Sequence, residues 1–222
     1  MILKSLGIDV SVRKKLDLVL LDSSRAVLFC ESRVPTEELP SICRRLRPDL
    51  VAIDSPPAWG LEGSSRLAER ELRRFNIMSY ATPSDPRKQK SSFYGWMRVG
   101  FAAFQVLARQ FPRYRSGRFK GTAIEVFPHA SEVLIAGKLR PPSMKKHEWR
   151  RLLLRRESIE VDVLSSKDQV DAALAALTGI YALSRCSISL GGPNEGIIVL
   201  PRTHQGCAYM ASCQRTAEKR RR

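Results

Sequence analysis

The chain has little of what most short functional motifs require. Its cysteines, at 30, 43, 186, 207 and 213, are odd in number and form no CxxC pair. That argues against a disulfide framework and against a zinc ribbon, and free thiols are expected. The histidines stand far apart at 129, 147 and 204, and no two have the i, i+4 spacing of a helical zinc site. Long apolar runs are missing as well. MILKSLGIDV carries Asp9 and lacks the apolar core of a secretory signal, so a cytoplasmic protein is expected. GWMRVGFAAFQVLARQF is broken by Arg98, Gln105 and Arg109, too often for the roughly 20 apolar residues of a membrane span. No membrane partner is expected. Internal repeats and long low-complexity segments are also lacking.

Acidic residues are outnumbered, 22 Asp and Glu against 38 Lys and Arg, leaving a formal charge of +16. Such a surface favours a polyanion through counterion release, with nucleic acid the first choice and an anionic membrane the weaker one. At 222 residues the chain can bury the core of one substantial domain. That domain is expected over residues 1–201, followed by a mobile basic tail over 202–222.

The first third reads as strands: ILKSLGIDV, KLDLVLLD and AVLFCESRV are rich in Leu, Val and Ile, with a short SSR turn between the second and third. PTEELPSICRRLR has acidic residues in its first turn and Arg in its last, the polarity of a helix. It leads to DLVAID, a continuous apolar run suited to a strand covered on both faces. An Arg- and Glu-rich helix at SSRLAERELRRF, a polar loop at ATPSDPRKQKSSFYG and an amphipathic helix near 96–110 follow. GTAIEVFPH is β-like, most of the remainder is helical, and GIIVLP is expected to pack at the domain's edge. Strands and helices in this order suit an α/β domain with a mixed sheet.

Carboxylates interrupt the apolar strands. Asp9 ends one, where a cap on the following turn would also account for it, and Asp54 ends another, where Ser55, Pro56 and Pro57 force the chain out of the sheet. Two adjacent parallel strands would set both at one carboxyl edge, where open α/β sheets bind ligands. Glu125 repeats the pattern before Pro128, although an exposed position on an edge strand would also account for it. In SSKDQVDAALAALTG, Ser166 with Gln169 makes a capping box, and Asp168 in the first turn is explained by the helix dipole alone. Asp171 lies beyond that turn and shares a side with Ala172, Ala175 and Gly179, small residues that let a helix approach a sheet. Converging carboxylates cannot all ionise cheaply without a counter-cation. Oxygen ligands suit Mg²⁺ or Mn²⁺, and paired ions could clamp both oxygens of a phosphodiester.

GIDVS, VAIDSPPAWG, SRLAERELR, AIEVFPHAS, KDQVDAALAALTG and EGIIVLP, in this order over about residues 5–201, resemble the domain-of-unknown-function family 429, described as predicted nucleases. The resemblance implies a ribonuclease H-like fold: a mixed five-stranded sheet in order 3-2-1-4-5, strand 2 antiparallel, flanked by helices. It also implies metal-dependent phosphodiester cleavage, with an acidic set similar to that of Holliday-junction resolvases. Carried over residue by residue, Asp9, Asp54, Glu125 and Asp171 form the acidic centre, and Asp9, Asp54, Asp171 and Asp168 hold Mg²⁺ or Mn²⁺.

Arg66 also matches the family and, with Arg70, suits substrate phosphate, nearby carboxylates such as Glu62 and Glu69, or simply a solvated helix face. Arg87, Lys88, Lys90 and Tyr94, with Phe93 and Trp96, are candidates for phosphate contact and base stacking, although Trp and Phe at helical spacing also suit a core. Lys145, Lys146, Arg150 and Arg151 resemble a basic family segment. Two other readings stand beside the nuclease. One is a nucleic-acid-binding module with a structural or degenerate acidic centre. The other follows from GIDVSVRKKLDLVLLD, which also resembles the phosphate loop of sugar kinases and actin-like ATPases; those proteins need a second such domain, and no nucleotide cofactor is expected.

Overall fold

A computed structural model describes residues 2–11 and 15–219. Residues 12–14, within the kinase-like stretch, and the terminal 220–222 of the expected tail lie outside the described residues. The strands are β1 (Lys4–Val10), β2 (Lys15–Asp22), β3 (Val27–Pro35), β4 (Leu50–Asp54), β5 (Ala123–Val126), β6 (Ser187–Gly192) and β7 (Gly196–Pro201). The helices are α1 (Leu39–Leu46), α2 (Leu67–Arg73), α3 (Pro86–Gln89), α4 (Gly95–Leu107), α5 (Pro128–Ala136), α6 (Lys146–Arg156), α7 (Lys167–Leu183) and α8 (His204–Lys219).

One sheet runs β3-β2-β1-β4-β5-β7-β6. Its first five strands have the ribonuclease H-like order 3-2-1-4-5, with β2 antiparallel to β1 and β4 parallel to it. The sheet has seven strands where five were expected. GIIVLP is not at the edge: as β7 it lies between β5, to which it is parallel, and β6, to which it is antiparallel. Between β5 and β6 the chain makes one long excursion through α5, α6 and α7.

Both faces of the sheet are buried. On one, Leu6, Ile8, Val51 and Ile53 pack with Ile42 of α1 and Phe104 of α4. On the other, Val19 and Leu21 meet Leu153 of α6 and Val170, Leu174 and Leu177 of α7. Alternation along the strands assigns these faces. Nearly every residue of α7 from Gln169 to Ile180 is buried, as expected of a helix apolar on all sides.

Gly7 sets how closely α7 approaches. A Cβ there would stand 2.0 Å from the Ala172 carbonyl oxygen and 2.4 Å from the Ala176 nitrogen, backbone atoms that cannot rotate aside. Gly7→Ala is therefore expected to push α7 outward and destabilise the fold by about 1–3 kcal/mol, read as a lower urea midpoint. An unchanged midpoint would show that the helix yields at no cost.

The expected mobile tail is largely helical instead. α8 packs on α5, with Cys213 buried and the Tyr209 hydroxyl donating to the Phe75 carbonyl at 2.8 Å. The basic end obscures this apolar side in the sequence. All five cysteines are free, as expected. Among the described residues no helix is long and apolar enough to cross a membrane.

Candidate acidic centre

The sheet's register places the acids. Asp9 pairs with Asp54 across the parallel β1/β4 ladder and with Asp17 across the antiparallel β1/β2 ladder. Directly opposed residues point to the same face, so the three form a row, on the face that carries Gly7 and meets α7. The first turn of α7 closes over this row. Ser166 caps it by accepting from Gln169 N at 2.9 Å, and carboxylate oxygens of Asp168, Asp9 and Asp17 lie within 4.8 Å of one another.

Asp17 is the residue the sequence reading passed over. Its signal was present in the hairpin: once β1 and β2 are paired, the register sets a carboxylate opposite Asp9. Ser32 donates its hydroxyl to Asp17, fixing it from β3.

The row is costly to ionise. Burial first, then the charges of Asp54, Asp171, Asp168 and Asp17, hold the Asp9 carboxyl well above the usual carboxylate range. Burial and Asp171 push Asp54 up to about 7, against the opposing pull of Arg150 and Lys146. Asp17 is raised by burial and by Asp168, while the Ser32 and Ser166 hydroxyls draw it back. These groups fit a hard divalent cation, which would relieve the repulsion that now falls on protons.

Asp171 is engaged with cations of the chain itself. Arg150 Nη1 lies 2.5 Å from Oδ1 and Lys146 Nζ 3.0 Å from Oδ2. Arg150, itself buried, also donates through Nε to Glu132 at 2.5 Å, and Glu132 meets His129 Nδ1 at 2.7 Å. A cavity of about 790 Å³ opens at the acids, lined by Asp9, Asp54 and Asp168 together with His129, Arg140, Lys146 and Arg150.

Glu125 does not join the acidic row. It pairs with Ile53, one position before Asp54, and so points through the opposite face. There it forms a two-pronged pair with Arg66, Nη2 to Oε1 at 2.6 Å and Nη1 to Oε2 at 2.8 Å. Arg66 is 1% exposed and donates through Nε to Glu69 at 2.9 Å. It therefore has no face for a substrate phosphate and is not on a solvated helix face; of the roles offered by the sequence, the carboxylate partner is the one realised. Arg70 is exposed and donates to the Ser65 carbonyl.

Arg87, Lys88 and Lys90 are exposed on and just after α3, away from the cavity lining. Tyr94 is half-buried, edge-on to Trp59 and Phe93. The aromatic groups nearer the acids are Tyr80 and Trp96, which line the cavity. Tyr80 packs edge-on against Phe93 with centroids 5.3 Å apart, and both rings remain more than half exposed.

A sequence-family model described as "Protein of unknown function (DUF429)" matches residues 7–195. No curated protein matches the chain. Among solved structures, T. thermophilus RuvC in complex with Holliday junction substrate is similar at 14% identity and a TM-score of 0.41, covering 82% of this chain and 94% of that one. A second Thermus thermophilus RuvC structure gives 16% and 0.38, with 82% and 95% covered. Likeness at this level carries no functional argument.

Proposed function

Since the chain belongs to the family of proteins of unknown function DUF429, whose description leaves the activity open, we propose that it is a metal-dependent nuclease hydrolysing phosphodiester bonds of nucleic acid. The observation that supports this reading is the convergence of Asp9, Asp17, Asp54 and Asp168 at one strand edge, with the carboxyls of Asp9, Asp17 and Asp54 raised by burial and by neighbouring carboxylates. Asp9, Asp54, Asp168 and Asp171 are the proposed ligands from sequence, and Asp17 joins them on geometry. Mg²⁺ or Mn²⁺ held there would supply an activated water and charge stabilisation of the departing oxygen.

The chain's own groups account for the substrate. Lys146 and Arg140, which line the cavity, attract the scissile phosphate, and the +16 charge raises the local concentration of polyanion. Tyr80 and Phe93 offer ring faces to unstacked bases, while Arg87, Lys88 and Lys90 extend the positive surface outward. Nucleic acid is thus the proposed partner.

The test is Mn²⁺-dependent cleavage of single-stranded, double-stranded, hybrid and branched substrates. Asp9→Asn is expected to lower the rate roughly a thousandfold, equivalent to about 4 kcal/mol of lost transition-state stabilisation. Undiminished activity in that variant, or none in the wild type on any substrate, sinks the proposal. One observation favours a second reading: Asp171 is already neutralised by Arg150 and Lys146, as in a binding module whose acidic centre is structural. Steeply salt-dependent binding with no metal uptake would decide for it.

A further inference from the structure

His129 has no part in the acidic row, yet it lines the same cavity as Asp9 and Asp54. It is the second residue of α5, directly after Pro128, where the end of β5 turns into the helix. Its Nδ1 lies 2.7 Å from Oε1 of Glu132, one turn further on. Glu132 is 1% exposed, and its other oxygen accepts from Arg150 Nε at 2.5 Å. A carboxylate facing Nδ1 makes that nitrogen the donor and fixes the ring's orientation, which leaves Nε2 as the nitrogen that exchanges protons.

Nε2 has no hydrogen-bond partner among the described residues, and the side chain is 35% exposed. The ring is steadied by Phe127, edge-on at 5.8 Å. Structural need does not explain the contact. Arg150 already gives Glu132 one cationic partner, and the first turn of a helix favours anions over cations. An imidazole oriented by a buried carboxylate, with its second nitrogen open to a cavity, has the arrangement of a general acid or base.

We propose that His129 is the general acid of the cleavage reaction, an inference that rests on the nuclease reading above. The oxygen of a water bonds to phosphorus, and the bond from phosphorus to the leaving oxygen breaks with its electron pair. The proton on Nε2 passes to that oxygen. One proton of the attacking water is released to solvent, from which the imidazole is recharged. The sum is phosphodiester plus water giving alcohol plus phosphomonoester. Glu132 is a positioning residue in this scheme. The charged groups sharing the cavity with the ring are Lys146 and Arg150 from α6, Arg140 before it, Asp9 and Asp54 from the sheet, and Asp168 from α7.

A leaving group that needs no proton separates this role from a structural one. His129→Ala, His129→Gln and Asp9→Asn are compared with wild type in Mn²⁺ on two substrates: an oligonucleotide, whose leaving group is an alkoxide, and a nucleoside 4-nitrophenyl phosphodiester, whose phenolate departs unprotonated. Both His129 variants are expected to lose about 10²–10⁴-fold on the oligonucleotide and less than about tenfold on the aryl ester, whose cleavage also reports that they fold. Asp9→Asn is expected to lose activity on both. Equal losses of the His129 variants on the two substrates, or no loss on the oligonucleotide, overturn the general acid. Retained activity in Asp9→Asn alongside the split in His129→Ala overturns the carboxylate centre and supports the general acid. A wild type that cleaves neither substrate overturns both.

Discussion

Asp54→Asn is expected to stabilise the metal-free protein at pH 8 while abolishing its proposed activity. Burial and Asp171 raise the Asp54 carboxyl to about 7 in the folded state, against about 3.9 in an unfolded chain. Below pH 4 both states hold the proton and the site costs nothing. Between about pH 4 and 7 the unfolded chain releases it while the folded one does not, so stability falls as pH rises through that window, and above it the loss is complete. A difference of about 3 units corresponds to about 4 kcal/mol. Asparagine carries no charge, so the variant should gain up to that amount at pH 8 and almost nothing at pH 4. Urea unfolding at several pH values reads this directly. Mn²⁺ should raise the wild-type melting temperature at pH 8 and leave the variant nearly unmoved. Parallel pH profiles for the two proteins would refute the argument.

Arg66→Met is expected to cost about 3–5 kcal/mol, because it leaves Glu69 and Glu125 buried without their cation. The guanidinium is surrounded: the fork on Glu125, Nε on Glu69, and Glu69 in turn accepting from the Thr82 amide at 3.0 Å and the Thr82 hydroxyl at 2.5 Å. It joins α2 to β5 and to the loop before α3. Arg66→Lys should recover little of the loss, since an ammonium cannot span both carboxylates. Adding Glu69→Gln and Glu125→Gln to Arg66→Met should recover a substantial part, because no buried charge is then stranded. Thermal and urea unfolding of the three variants check this. A full loss in the triple variant would mean that shape, and not charge, is what Arg66 provides.

The two carboxylates at the centre were legible because each ends an apolar strand, and a charge in that position needs a reason. Their adjacency followed from the strand order that the family resemblance implies, and the sheet has that order. Glu125 shows where such reading stops. Its sequence context copies that of Asp54, but a register offset of one residue turns it to the other face, and no local pattern encodes register between strands far apart in the chain. Asp17 was hidden for the opposite reason: it looks like an ordinary polar residue in a β-hairpin until pairing sets it opposite Asp9. The strand SISLGG escaped notice because it is short, little buried and ends in glycines. For Arg66 the local partner Glu69 was among the carboxylates the sequence offered, whereas Glu125, 59 residues on, and the enclosure of Arg150 by Glu132 and Asp171 have no local signal.

The excursion between β5 and β6 has a bearing on how the site could diversify. His129, Glu132, Arg140, Lys146, Arg150, Asp168 and Asp171 all belong to it, whereas β1, β2 and β4 supply only Asp9, Asp17 and Asp54. Within that excursion, residues 137–145 and 157–166 are connectors joining α5, α6 and α7. Insertions or deletions there would reshape the basic wall while the sheet and its acids stay in register. The acids on the strands are thus held by pairing, while Arg140, between α5 and α6, sits on a segment whose length can change without disturbing that pairing.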